Sequence, residues 1–73
     1  MDTLFTTDLT YKGKLETFAV SFHEDRYIFQ AINGSARFSI RREEDEWHTV
    51  EPIDDPLRNA ATDKLESYLL SQH

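Results

Sequence analysis

The sequence contains no cysteine and only two glycines and two prolines among 73 residues. Without cysteine the chain has no disulfide, no thiolate nucleophile and no cysteine-based zinc site. Gly13 and Gly34 lie far apart, which excludes a glycine-rich phosphate-binding loop. A chain without cysteine suits a reducing compartment, and we expect a cytoplasmic protein.

Long apolar runs are also missing, so the sequence predicts no transmembrane helix. The start, residues 1–4, lacks the basic residues and the apolar stretch of a secretion signal. We therefore expect a cytoplasmic protein or a mature piece whose signal was removed. We expect residues 1–73 to form a single domain. A chain of this size buries only about 60% of the surface that its unfolded form exposes. One layer of apolar side chains must therefore provide its stability.

Basic residues are few, with 8 Lys and Arg against 14 Asp and Glu, for a net charge of −6. The excess lies in residues 42–55, where Arg42 is the one base and the acids are Glu43, Glu44, Asp45, Glu46, Glu51, Asp54 and Asp55. A neutral body with an acidic segment argues against nucleic acid, which favours a basic stripe. It argues equally against anionic membranes. We expect neither as a partner.

Three turn signals divide the first part of the chain: Lys12-Gly13, Glu24-Asp25 and Asn33-Gly34. Asn-Gly is the dipeptide that best fits a type I′ hairpin turn. The segments between the turns are rich in β-branched and aromatic residues, which is typical of strands. We predict strands over residues 3–11, 14–23, 26–32, 35–42 and 47–50.

The predicted hairpins agree about which side chains share a face. The first turn pairs Phe5 with Val20. The second turn pairs Val20 with Phe29, and the third turn pairs Phe29 with Phe38. Because partners share a face and faces alternate, a slip of one residue would break the agreement. The predicted core face contains Phe5, Leu9, Tyr11, Phe18, Val20, Phe22, Tyr27, Phe29, Phe38 and Ile40.

A helix is predicted over residues 55–71. Asp54 or Asp55 can cap it, and Pro56 suits its first turn. Its apolar stripe, with three- and four-residue spacing, consists of Leu57, Ala61, Leu65, Tyr68 and Leu69. The expected fold is α+β: an antiparallel four- to five-stranded β-meander with one C-terminal α-helix packed on one face.

Residues for catalysis or metal binding form no motif. His23, His48 and His73 lack metal-ligand spacing, and no serine lies in a nucleophile elbow. Ser21 and His23 share a strand face, but no oxyanion-donating glycine loop is nearby. We predict no enzyme, no cofactor and no metal. A small enzyme that uses His23 or His48 with neighbouring carboxylates is the least favoured alternative.

The segment Glu43-Glu44-Asp45-Glu46 is predicted to be a solvated hairpin loop. It is unbroken and lacks glycine, whereas calcium loops alternate ligands with spacers and use glycine for a sharp turn. Its functional interpretation is an acidic contact loop that meets a basic patch on another protein.

The opposite sheet face carries isoleucines among small polar residues, with arginines along one border. Solvated sheet faces usually carry more charge at the centre. We therefore predict a possible partner surface formed by Ile28, Gln30, Ile32, Arg37, Arg41 and Trp47. Trp47 lies on this face when Ile40 is opposite His48; with another loop length it covers an edge of the core.

These features favour a small non-catalytic interaction module. It would bind a protein partner or a second copy through the second sheet face or through an edge strand. The alternative is a domain that binds a small ligand in a cleft between helix and sheet, near Tyr11, Tyr27 and Tyr68.

Overall fold

A computed structural model describes residues 3–72 and has the predicted α+β fold. Its five strands form one antiparallel sheet in the order β1-β2-β3-β4-β5, and the helix packs across one face. The elements are β1 (Thr3–Tyr11), β2 (Lys14–His23), β3 (Arg26–Ala31), β4 (Arg37–Glu43), β5 (Glu46–Thr49) and α1 (Asp55–Ser71).

The pairing of the first four strands has the predicted registers. Phe5 is opposite Val20, and Val20 is opposite Phe29. Phe29 is in turn opposite Phe38. The aromatic face of the sheet is therefore continuous from β1 to β4, as the alternation of side chains requires.

Of the three predicted hairpin turns, the one at Asn33-Gly34 differs from expectation. Glu24-Asp25 has positive φ values of 52° and 65°, which is the type I′ geometry. Within Asn33-Gly34, in contrast, only Gly34 has a positive φ. Gly34 donates its N–H to the carbonyl of Ala31 at 2.9 Å, inside a four-residue loop closed by Ala31 and Ala36. This loop shortens the predicted strands 26–32 and 35–42.

The register between β4 and β5 corrects the predicted one by a single residue. Glu44 and Asp45 form a two-residue turn with φ values of 52° and 65°. Ile40 is consequently opposite Thr49 rather than His48. Because a shift of one residue reverses both faces of a strand, Trp47 lies on the helix side of the sheet.

The centre of the core is a cluster of three phenylalanines from neighbouring strands. The rings of Phe29 and Phe38 stack at 4.8 Å between centroids, and Phe18 meets Phe38 edge-on at 5.6 Å. All three are essentially without solvent contact. The helix completes this layer with Leu57, Ala61 and Leu65.

Helix α1 runs antiparallel to β1. Leu57, near its start, lines a depression with Tyr11 at the end of β1. Near its other end, Tyr68 stacks on Phe5 at 4.6 Å. Asp54 is the N-cap residue and accepts the N–H of Arg58 through its backbone oxygen, but its side chain makes no capping hydrogen bond.

Phe22 has the predicted facing but not the predicted burial. It lies at the end of β2, contacts Tyr27 with 4.8 Å between ring centroids, and remains 47% exposed. The two aromatic residues Phe22 and Phe29 therefore share a face and differ in how much surface folding removes from water.

Replacing Phe29 with alanine should remove about 3–5 kcal/mol from the free energy of unfolding, because the cavity lies inside a closed layer. A core of this size rarely supplies more than about 3–5 kcal/mol, so the variant should be largely unfolded by circular dichroism. Phe22→Ala is the matched control and should cost less than about 1.5 kcal/mol. If urea titrations showed that Phe29→Ala and Phe22→Ala lower the free energy of unfolding equally, the central position of Phe29 in the core would be contradicted.

Candidate interaction surfaces

The second face, the side of the sheet turned away from α1, does not present the predicted partner surface as one patch. Ile28 keeps only 5% of its surface exposed, which leaves little for a partner to contact. Gln30 folds back and donates its side-chain amide to the carbonyls of Ala31 and Ala36, at 3.2 and 3.3 Å. Ile32, Arg37 and Arg41 are exposed.

Two large apolar side chains stand next to each other at one end of the second face. Leu15 is 70% exposed and Ile32 is 66% exposed, and both line one shallow depression. A hydrogen bond of 2.9 Å from the N–H of Ile32 to the carbonyl of Thr17 holds the two strands together there. We call Leu15 and Ile32 the apolar pair.

Sequence reasoning overlooked Leu15 even though its facing follows from the first hairpin. Leu15 is opposite Thr10, and both lie on the second face. The predicted pairing of Tyr11 with Lys14 already implied this position. Its exposure, in contrast, depends on what surrounds it in three dimensions.

The other end of the second face carries a basic row that crosses four strands. His23 is opposite Arg26, and Arg41 is opposite His48. Arg26 precedes Tyr27 and Arg41 follows Ile40, and because Tyr27 is opposite Ile40 in an antiparallel pair, the two arginines lie across from each other. Like charges at such positions repel. We call His23, Arg26, Arg41 and His48 the basic row.

Carboxylates in the Glu24-Asp25 turn and at the end of β4 offset this repulsion. Glu24 lies 3.3 Å from Arg26 and 3.5 Å from His23, and Glu43 lies 2.8 Å from Arg41. Arg26, Arg41 and His48 border an open groove of about 650 Å³ whose wall includes the half-exposed Val50. The wall of the groove thus contains charged side chains of both signs and one apolar side chain.

The predicted acidic contact loop is a tight turn with internal ion pairs. Besides the Arg41–Glu43 pair, Asp45 lies 3.9 Å from Arg42 and Glu46 lies 3.8 Å from His48. The two arginines thus partly neutralise two of its four acids, Glu43 and Asp45. Within residues 3–72, no group of three or more candidate ligands is placed to hold a metal ion.

Trp47 belongs to an aromatic row at the end of the core. It meets Tyr27 edge-on at 6.0 Å, and Tyr27 meets Phe22. Its indole N–H donates to Glu66 of the helix at 3.0 Å, and Arg42 lies over its ring at 5.3 Å. These contacts match the alternative in which Trp47 covers an edge of the core.

The three tyrosines proposed to line a ligand cleft lie at separate places. Tyr68 stacks on Phe5 and Tyr27 lies between Phe22 and Trp47. Tyr11 lines a depression of about 180 Å³ beside the start of α1. Ligand pockets usually measure about 300–1,000 Å³, so this depression is small for an organic ligand.

His23 and His48 share the second face with glutamates nearby, and both side chains are about half exposed. His73 lies outside the described residues.

The chain matches no family model, no curated protein and no solved structure. In the described part, no helix combines the length and the apolar character needed to cross a bilayer.

The position of Trp47 leads to a stability test of the β4–β5 register. Trp47→Ala should lower the free energy of unfolding by about 2 kcal/mol, because a half-buried ring leaves the helix face. His48→Ala, its neighbour on the other face, should change it by less than about 0.5 kcal/mol. Urea denaturation measures both. The reverse order would place Trp47 on the second face.

Proposed function

We propose that this domain is a non-catalytic cytoplasmic module that binds another protein through the second face of its sheet. The observation that carries the proposal is the apolar pair, because Leu15 and Ile32 expose 70% and 66% of their surface around one shallow depression. Single exposed apolar residues are ordinary. Neighbouring ones on a flat strand surface are typical of contact sites.

The apolar pair contributes little to the fold. Burial stabilises by roughly 25 cal/mol per Å² of apolar surface, and these two side chains keep most of theirs in water. A domain with a polar residue at either position should have nearly the same free energy of unfolding. Binding, rather than folding, therefore benefits from their apolar character.

The partner that fits is a folded protein with a rather flat surface. Small side chains occupy the middle of the second face, among them Ala19 and Ser39. An apolar side chain of the partner would cover the apolar pair, and charges of both signs would meet the basic row. Arg26 and Arg41 already pair with Glu24 and Glu43, which disfavours a phosphate-rich ligand.

Ligand binding and catalysis have weaker support. The depression beside Tyr11 is small, and the larger one beside Tyr27, of about 410 Å³, is open and lined mostly by charged side chains. The imidazoles of His23 and His48 lie on an open surface rather than in a water-excluding site. The ordinary surface chemistry of an interaction module accounts for these observations.

Photo-cross-linking tests the proposal in extracts of the source cells. A photoreactive amino acid at Thr17, between the members of the apolar pair, should capture a defined partner. Adding Ile32→Asp should reduce capture at least about tenfold, since an interface anchor contributes more than about 1.4 kcal/mol.

The matched control is Leu70→Asp, which changes a residue 74% exposed on the helix. It should leave capture unchanged, and circular dichroism should show both variants folded. Equal capture by the Ile32 and Leu70 variants would remove the second face as the binding surface.

A further inference from the structure

Within residues 3–72, strand β1 is an edge of the sheet, and some of its backbone hydrogen-bonding groups have no partner there. Thr17 accepts the N–H of Ile32 on its β3 side at 2.9 Å. Asp8, opposite Thr17, is therefore in a non-hydrogen-bonded pair, and its own N–H and C=O point away from β2. By alternation, the backbone groups of Thr6 and Thr10 point outward as well.

The two edges of the sheet differ in their protection against pairing. β5 has four residues, and beyond its end the carboxylate of Glu51 accepts the N–H of Ser39 at 3.2 Å. β1 has nine residues, contains neither lysine nor proline, and carries one charge, Asp8. Short, charged edges resist pairing, whereas long, uncharged ones invite it.

We propose that β1 pairs antiparallel with β1 of a second copy, in a register centred on Thr7. Thr7 is the middle residue of β1, so this register overlaps the most residues. It places Thr6 of each copy opposite Asp8 of the other, and each such pair exchanges two backbone hydrogen bonds. The irregularity between Thr3 and Phe5 lies at the end of this stretch.

The charge distribution favours a copy of the same chain as the occupant. Centring on Thr7 keeps the two Asp8 carboxylates from directly opposing each other, which would be unfavourable. Strand order places the acidic turn at the far edge, on β4 and β5. Two copies joined through β1 would therefore hold their acidic ends at opposite extremes of the joint sheet.

The helix side of the proposed joint is also complementary. The register sets Phe5 of one copy opposite Leu9 of the other; Leu9 is already buried within each chain, so the apolar surface to be covered there belongs to Phe5. Phe5 is half-buried and stacks on Tyr68, and pairing would cover part of its remaining surface. A two-fold axis perpendicular to the sheet places both helices on the same face, as in a closed symmetric dimer.

Single-cysteine variants test this register directly, because the natural chain has no cysteine. At the axis, the two copies of residue 7 form a non-hydrogen-bonded pair with Cα atoms about 4.5 Å apart, within disulfide range. Thr7→Cys should form a covalent dimer under mild oxidation at least about ten times faster than Thr10→Cys. In that control the two cysteines lie roughly 20 Å apart along the strands.

Sedimentation equilibrium gives the second readout. The wild-type mass should rise from 8.6 kDa towards twice that value with concentration. Thr6→Pro removes an outward N–H, which an edge strand tolerates, and should restore the monomer while circular dichroism stays native.

Ile32→Asp should leave dimerisation intact, which separates this proposal from the proposed function. A wild-type monomer at about 1 mM, or equal oxidation of the two cysteine variants, overturns it.

Discussion

The contact among Phe18, Phe29 and Phe38 is the constraint on which the rest of the molecule depends. Each ring comes from a different strand, so their packing fixes the relative positions of β2, β3 and β4. A shift of one residue in either hairpin would move a ring to the opposite face. The helix covers these rings, and the outer strands extend the sheet from them. The second face is what this arrangement leaves uncovered.

The fold was largely predictable because apolar alternation and turn chemistry specify the same registers. The β4–β5 register was not, since Glu44 and Asp45 adopt positive φ without glycine or asparagine, which few side chains do readily. A usable signal existed. The same Glu-Asp dipeptide forms the turn at residues 24–25 with the same φ values.

The proposed binding surface was less predictable than the fold, because the exposure of a side chain depends on three-dimensional neighbours that the alternation of strand faces does not describe. The alternation of side chains along β3 placed Ile28 on the second face correctly, but Ile28 is buried there. The longer side chains of Arg26 and Gln30 flank it along β3. Leu15, on the same face, lies near the end of the first hairpin and stays exposed. Sequence reasoning therefore assigned Ile28 and Ile32 to the second face without indicating which side chains on it are the most exposed.

The molecule thus divides its surface by role. One face of the sheet is buried under the helix in the core. The other face carries the apolar pair and the basic row, and β1 is an exposed edge strand. This division depends on which face the helix covers, and nuclear Overhauser contacts test that most directly. The rings of Phe18, Phe29 and Phe38 should show strong contacts to the methyl groups of the helix residues buried with them, Leu57, Ala61 and Leu65. Contacts from the Ile28 methyl groups to the same helix methyl groups would contradict the account.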